Sequence, residues 1–287
     1  MRIAIAGING FVGNKLNDIL SITPENYHII PIDITNGIDL SDRTQALKIQ
    51  SFDVFVHLAN LSYVPASYTD PEIFYKTNYL TTLNALELCR KYNASFIFIS
   101  SYIYGTPLYL PVDEKHPITP FNPYAQSKVI CESLCEGYNR DFNIPVIIVR
   151  PFNIYGVGQK GNLIIPEIIN QLKQGKSVIQ LKDPTPRRDY INVKDVAEAL
   201  KICINHKHKS IKKYNLCTGI SYSVLELTEH INQALRNKVC FRFNNTDRPN
   251  EVNETKGSYA KILNELGWKP KTDLIDGISE IMKYEGL

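Results

Sequence analysis

Residues 2–13 read "RIAIAGINGFVG": a short apolar run, then glycines at 7, 10 and 13, then the start of a periodic apolar segment. The pattern G-x-x-G-x-x-G between a first strand and a first helix lets the chain turn tightly. It also lets backbone N–H groups at the helix N-terminus approach a pyrophosphate. The same glycines argue against a secretory leader, because Gly7 and Gly10 interrupt the apolar run early and no small-residue cleavage site follows a longer one.

Outward from this turn, strand-like and helix-like segments alternate: "YHIIPID", "SDRTQALKI", "DVFVHLA", "PEIFYKTNYLTTLNALELCRKY", "SFIFIS", a polar-faced helix and "PVIIVRP". The strand runs are apolar along their whole length, as expected where helices cover both faces of a sheet. This predicts an α/β chain, a Rossmann-type doubly wound parallel sheet over residues 1–155. Beyond residue 151 the order loosens around Pro166, Pro184, Pro186, Pro249 and Pro270. The expected division gives 189–217 back to the sheet and 156–188 and 218–287 to a smaller, interleaved substrate domain.

Composition narrows the class. At 44% hydrophobic and 21% charged residues the chain has ordinary globular proportions, and no apolar run nears the roughly 20 residues that cross a bilayer. Six cysteines without a C-x-x-C or a histidine pair at zinc spacing read as reduced core thiols of a cytoplasmic protein with no metal site. The densest basic run, "KHKSIKK" at 207–213, reads as a solvated loop. Tracking nucleic acid would need a broader basic face with aromatic platforms.

Asp33 closes the second strand 20 residues after Gly13, where a carboxylate accepts hydrogen bonds from a ribose. A free 2′-hydroxyl suits it and a 2′-phosphate would meet like charge, so the expected cofactor is NAD ahead of NADP; a plain turn residue is the alternative reading of Asp33. Asp39-Leu40 and the "HLAN" segment (Leu58, Ala59, Asn60) fall where adenine and the far phosphate would be bordered. His57 reads as a core histidine and receives no chemical role.

At the other end, "ISSYIYG" (99–105) closes the fourth strand and "NPYAQSK" (122–128) opens the next helix. Both fall at the carboxyl edge of the sheet, where open α/β sheets hold ligands. Tyr124 and Lys128, four apart on a helix, share one face. A phenol beside a cation can act as a general base toward a hydroxyl, or as an acid toward a carbonyl, while hydride moves to or from a nicotinamide. A serine hydroxyl would hold the same oxygen.

Taken in order, "GINGFVG", "HLAN", "SSYIYG", "YAQSK", "RPFNIYG", "RDYINVKDVA" and "RPNE" resemble the extended short-chain dehydrogenase/reductase family, in its nucleotide-sugar epimerase, dehydratase and reductase branch. The resemblance implies that Tyr124 and Lys128 are the catalytic pair. It puts Ser100 at the usual Ser/Thr position, five before Gly105, with the adjacent Ser101 as the alternative. For the cofactor it implies Asn9, Phe11, Val12, Asn78 and Pro151 beside the glycines. For a nucleotide-diphosphate sugar it implies Ser101, Tyr102, Asn153, Asn162, Leu163, Arg188 and Arg248, the two arginines gripping the diphosphate.

Where the family's 4,6-dehydratases carry an Asp-Glu pair, this chain has Ser101 and Tyr102, which argues against that reaction. A 4-epimerase and a 4-keto reductase remain, the epimerase favoured by Asp33 and the reductase by the short substrate domain. A dinucleotide-sensing protein without catalysis is a third reading. Two departures stand out: Thr81 replaces a glycine of the family's N-x-x-G-T, which bears on packing near Asn78, and Pro-Thr-Pro (184–186) stands where relatives carry glycines, which bears on the edge of the pocket. The resemblance also implies a homodimer through the helices bearing Asn78 and Tyr124.

Overall fold

The computed structural model describes residues 1–23, 25–161, 163–236, 238–244 and 252–287. The chain runs β1 (Arg2–Ala6), α1 (Phe11–Ser21), β2 (His28–Ile32), α2 (Arg43–Ala46), β3 (Val54–His57), α3 (Val64–Thr69), α4 (Pro71–Tyr92) and β4 (Ser95–Ile99). It continues with α5 (Pro123–Phe142), β5 (Val146–Pro151), β6 (Asn153–Tyr155), α6 (Ile164–Lys173), β7 (Val178–Leu181), β8 (Arg187–Asn192) and α7 (Val193–Asn205). The last elements are β9 (Lys212–Leu216), β10 (Ser221–Ser223), α8 (Val224–Ala234), β11 (Cys240–Phe243), β12 (Glu254–Thr255), α9 (Ala260–Leu266) and α10 (Leu274–Glu285).

Six parallel strands form the main sheet in the order β2-β1-β3-β4-β5-β9. Because β1 lies between β2 and β3, the winding reverses there, and the crevice outside the strand ends opens at that boundary. Each face buries its own core. Ile3, Ile5, Val54 and Val149 pack with Leu16 of α1 and Val196 and Leu200 of α7. On the other face Ala4, Phe55, Phe96 and Ile148 pack with Ala85 and Leu88 of α4 and Cys131 and Cys135 of α5. Apolar residues on both sides of every central strand explain why the strand runs lack alternation.

The third core joins Ile165 and Ile168 of α6, Ile179 of β7, Leu227 of α8 and Ile278 of α10. Here β8 pairs with β6, β10 and β12, and β7 with β11. The C-terminal stretch is shared between the two parts. Ile262 and Trp268 join the core of α1 and α7, and the Trp268 indole donates to the Asp195 carbonyl. No helix among the described residues is long and apolar enough to cross a membrane.

Candidate active site

The β1–α1 turn shows why three glycines are needed. Gly7 has φ +79°, and a Cβ there would lie 2.8 Å from the Ala59 backbone nitrogen. A Cβ on Gly13 would lie 2.1 Å from the Gly7 carbonyl oxygen, so turn and helix touch backbone to backbone. Gly10 caps α1 without a side chain, leaving the first helical N–H groups open to a ligand.

At the other wall, Asn122 caps α5 by accepting from the Ala125 N–H at 2.7 Å, and Pro123 starts the helix. This fixes Tyr124 in the first turn and Lys128 one turn on. The Lys128 ammonium is 1% exposed and donates to the Ile99 carbonyl at 2.8 Å, bringing α5 onto the end of β4 where Ser100 follows. It lies 4.8 Å from the Phe98 ring centroid and 5.9 Å from that of Tyr124.

Between these walls lies a cavity of about 560 Å³. It is lined by Gly7, Gly10, Phe11, Val12 and Gly13 of the turn, by Leu58 and Asn60, and by Ser100, Ser101, Tyr124, Lys128 and Pro151. It continues past Asn153, Leu163 and Arg188 into the second part of the chain. Two buried polar groups on its wall have no partner among the described residues: the Ser100 hydroxyl and both ends of the Asn60 amide. Unpartnered buried polar atoms call for a ligand or ordered water, and with the open helix N-terminus they suit a dinucleotide.

Electrostatics sharpen the roles. Burial pushes the Lys128 ammonium down to about 8, with Cys131, Glu132 and Cys135 pulling the other way. Burial raises the Tyr124 phenol above its ordinary value, and a hydrogen bond with Ser101 offsets part of that. Burial also opposes ionisation of Asp33, but bonds from the Thr35 hydroxyl, the Thr35 N–H and the Asn9 N–H outweigh it and lower the carboxyl. Asp33 therefore stands ionised at the edge of the glycine turn.

Some expected contacts lie elsewhere. Asn78 is fully buried: its carbonyl accepts from the Leu61 N–H, and its amide donates to the Leu61 carbonyl and the Ser127 hydroxyl. Its observed bonds join α4, α5 and the segment after β3, so the expectation of cofactor contact is corrected to a packing role. Thr81 fits beside it by bonding back to the Thr77 carbonyl.

Asp39 is occupied by Ser41, and Leu40 is in the core, so neither lines the cavity. Tyr102 donates to the Gly105 carbonyl and packs on Phe152, behind the cavity wall. The Asn9 side chain turns to Thr35 and Asn36. Ala59 packs on Gly7. Asn162 and Arg248 lie outside the described residues.

Other lining residues were not anticipated, among them Ser62, Gln159, Glu167, Lys182 and Asp183, whereas Pro186 lines the cavity where the Pro-Thr-Pro segment was expected to border it. Asn153 is anchored by its amide to the Asp189 carbonyl. Arg188 is held at the cavity edge by the Arg187 and Val252 carbonyls. Arg187 turns away to Glu226.

A family profile described as GDP-mannose 4,6 dehydratase matches residues 14–281. A Methanocaldococcus jannaschii protein provisionally named UDP-glucose 4-epimerase is 33% identical over 98% of this chain and 97% of its own length. The GDP-6-deoxy-D-mannose reductase of Pseudomonas aeruginosa is 30% identical over 98% of this chain and 96% of its own. Among solved structures, RMD from Pseudomonas aeruginosa complexed with NADPH superposes with a TM-score of 0.90 at 28% identity, covering 99% and 98% of the two chains. UDP-glucose 4-epimerase from Bifidobacterium longum in complex with NAD+ and UDP gives 0.88 at 25% identity, covering 100% and 98%. With the glycine turn, the Tyr124–Lys128 helix and the shared cavity all present, the chain belongs to the extended short-chain dehydrogenase/reductase family, in its nucleotide-sugar epimerase/dehydratase branch.

Proposed function

We propose that the protein catalyses NAD-dependent 4-epimerisation of a nucleotide-diphosphate sugar. The observation that carries this reading is the cavity itself, which joins the glycine turn, the unpartnered Ser100 hydroxyl, Tyr124, Lys128 and Arg188 in one space. When bound, a nicotinamide dinucleotide supplies the acceptor and donor of hydride at the sugar's ring carbon.

In this reading the Tyr124 phenolate takes the proton of the C4 hydroxyl and returns it after the 4-keto sugar has presented its other face. Ser100 holds the same oxygen. Ser101, within hydrogen-bonding reach of the phenol, lowers the cost of deprotonating Tyr124. Lys128 supplies positive charge beside the reacting groups, and Arg188 and Asn153 hold the diphosphate end. Asp33, ionised at the end of β2, favours an unphosphorylated ribose and hence NAD. The dehydratase reading is disfavoured because Tyr102, at one of the two acidic positions, has its hydroxyl tied to Gly105 away from the cavity.

A 4-keto sugar reductase is the second reading, favoured by the similarity to the GDP-6-deoxy-D-mannose reductase. One experiment separates the two. The protein, purified without added cofactor, is denatured and the released dinucleotide counted, and intact protein is then offered UDP- and GDP-hexoses. Near one NAD or NADH per chain, with interconversion of C4 epimers and no added cofactor, supports the epimerase. An empty protein that consumes NADH or NADPH only with a 4-keto sugar makes it a reductase. Dinucleotide uptake with no turnover overturns both. We also propose a homodimer through α4 and α5, and a monomeric mass by light scattering would refute it.

A further inference from the structure

Among the described residues, the buried Lys128 ammonium makes one hydrogen bond, to a neutral carbonyl. An ammonium placed this way loses its proton easily unless a negative charge stands near. The titratable groups around it are Tyr124, Cys131, Glu132 and Cys135 on α5, His57 on β3 and Cys89 on α4. Past Glu132 come Arg150 on β5 and the Lys213–Glu136 pair. Glu132 is the nearest carboxylate by position, one helical turn beyond Lys128, and only 3% exposed.

Glu132 is also immobilised. Arg150, fully buried, donates to both of its oxygens at 2.9 and 2.5 Å. Arg150 donates in turn to the Tyr104 hydroxyl at 2.9 Å, and Tyr104 to the Asn215 side-chain oxygen at 2.6 Å. One network thus references the carboxylate to β5, to β9 and to the segment that begins with Ser100. We infer that Glu132 is a positioning residue: its clamped carboxylate supplies the charge that keeps the Lys128 ammonium protonated at the cavity wall. The inference rests on the reading of Lys128 as the catalytic lysine.

A carboxylate that merely pins α5 to β5 needs its shape and hydrogen bonds, whereas one that sets protonation needs its charge. Glu132→Gln keeps the shape and loses the charge, and Glu132→Asp does the reverse. The pKa of Lys128 is read directly by competitive acylation with acetic anhydride across pH, quantified by peptide mass spectrometry on the whole chain. Turnover is followed in parallel on UDP-glucose or on a GDP-4-keto sugar, whichever is converted.

Glu132→Gln lowers the Lys128 pKa by about one unit and moves the alkaline limb of turnover down equally, while Glu132→Asp leaves both near the wild-type position. An unchanged pKa in Glu132→Gln, or an equal shift in Glu132→Asp, overturns the inference. Should Glu132→Gln fail to fold, Glu132→Gln/Arg150→Gln is compared with Arg150→Gln, the two differing only in the carboxylate charge: the Lys128 pKa must be lower in the double variant, and equal values overturn the inference. A shift in labelling without a shift in turnover overturns the catalytic reading of Lys128, and the inference with it.

Discussion

Replacing Gly13 by alanine tests the dinucleotide end without any knowledge of the substrate. The added Cβ meets the Gly7 carbonyl oxygen at 2.1 Å, the Ile8 oxygen at 2.6 Å and the Ile8 Cα at 2.7 Å. Ordinary contact begins at 3.4 Å, and all three atoms are backbone, so turn and helix must separate by more than an ångström. Overpacking of this kind costs about 1–3 kcal/mol, partly offset by up to about 1 kcal/mol from alanine's better helix propensity. Displacing the first helical N–H groups weakens dinucleotide binding, tenfold for each ~1.4 kcal/mol lost.

Two controls bracket the effect. Gly10→Ala meets only the Gly7 oxygen, at 3.1 Å, and requires a small adjustment. Gly137→Ala, on α5 with nothing within 4 Å, stabilises by about 0.5–1 kcal/mol. Urea unfolding and calorimetric titration with NAD read both quantities. The reasoning is refuted if Gly13→Ala is as stable as the parent and binds NAD equally well.

Other consequences follow from single contacts. Tyr124→Phe lowers turnover by about 10²–10⁴-fold with NAD affinity unchanged in the same titration; near-normal turnover would remove Tyr124 from the chemistry. Arg150→Met strands the Glu132 carboxylate and lowers unfolding free energy by about 3–5 kcal/mol, most of it recovered in Glu132→Gln/Arg150→Met. Burial, and then the charge of Lys128, hold His57 neutral down to about pH 3 from an ordinary 6.5. Between those values the unfolded chain binds a proton that the folded chain does not. Stability is therefore complete above about 6.5 and falls as pH drops, by up to about 1.4 kcal/mol per unit. Urea midpoints for His57→Leu should lose that part of the slope, and an unchanged slope would place the proton elsewhere.

What the sequence made legible was local. The glycine turn, the wholly apolar strands and the span of α4 are written in neighbouring residues, and the Ser-Tyr-Lys constellation follows once strand and helix order is known. Long-range pairings were not legible. Glu132 and Arg150 look like surface charges in the string, and only the packing of α5 on β5 brings them together, buried. Lys182, Asp183 and Glu167 carry no motif and reach the cavity through the placement of β7 and α6. Asn78 was assigned to the cofactor on resemblance, whereas its polar atoms are spent on Leu61 and Ser127.

The way the C-terminal stretch is shared bears on how ligands enter. The chain passes between the two parts after β5, after β8, after β9, after β12 and again between α9 and α10, where Trp268 and Ile262 are gripped by one core and Ile278 by the other. Several covalent crossings distribute any bending strain, so no single linker can serve as a hinge. Ligand exchange at this cleft, on the proposed function, should therefore depend on local rearrangement of rim segments such as 182–186, while the walls that carry Tyr124 and Arg188 stay at a fixed separation.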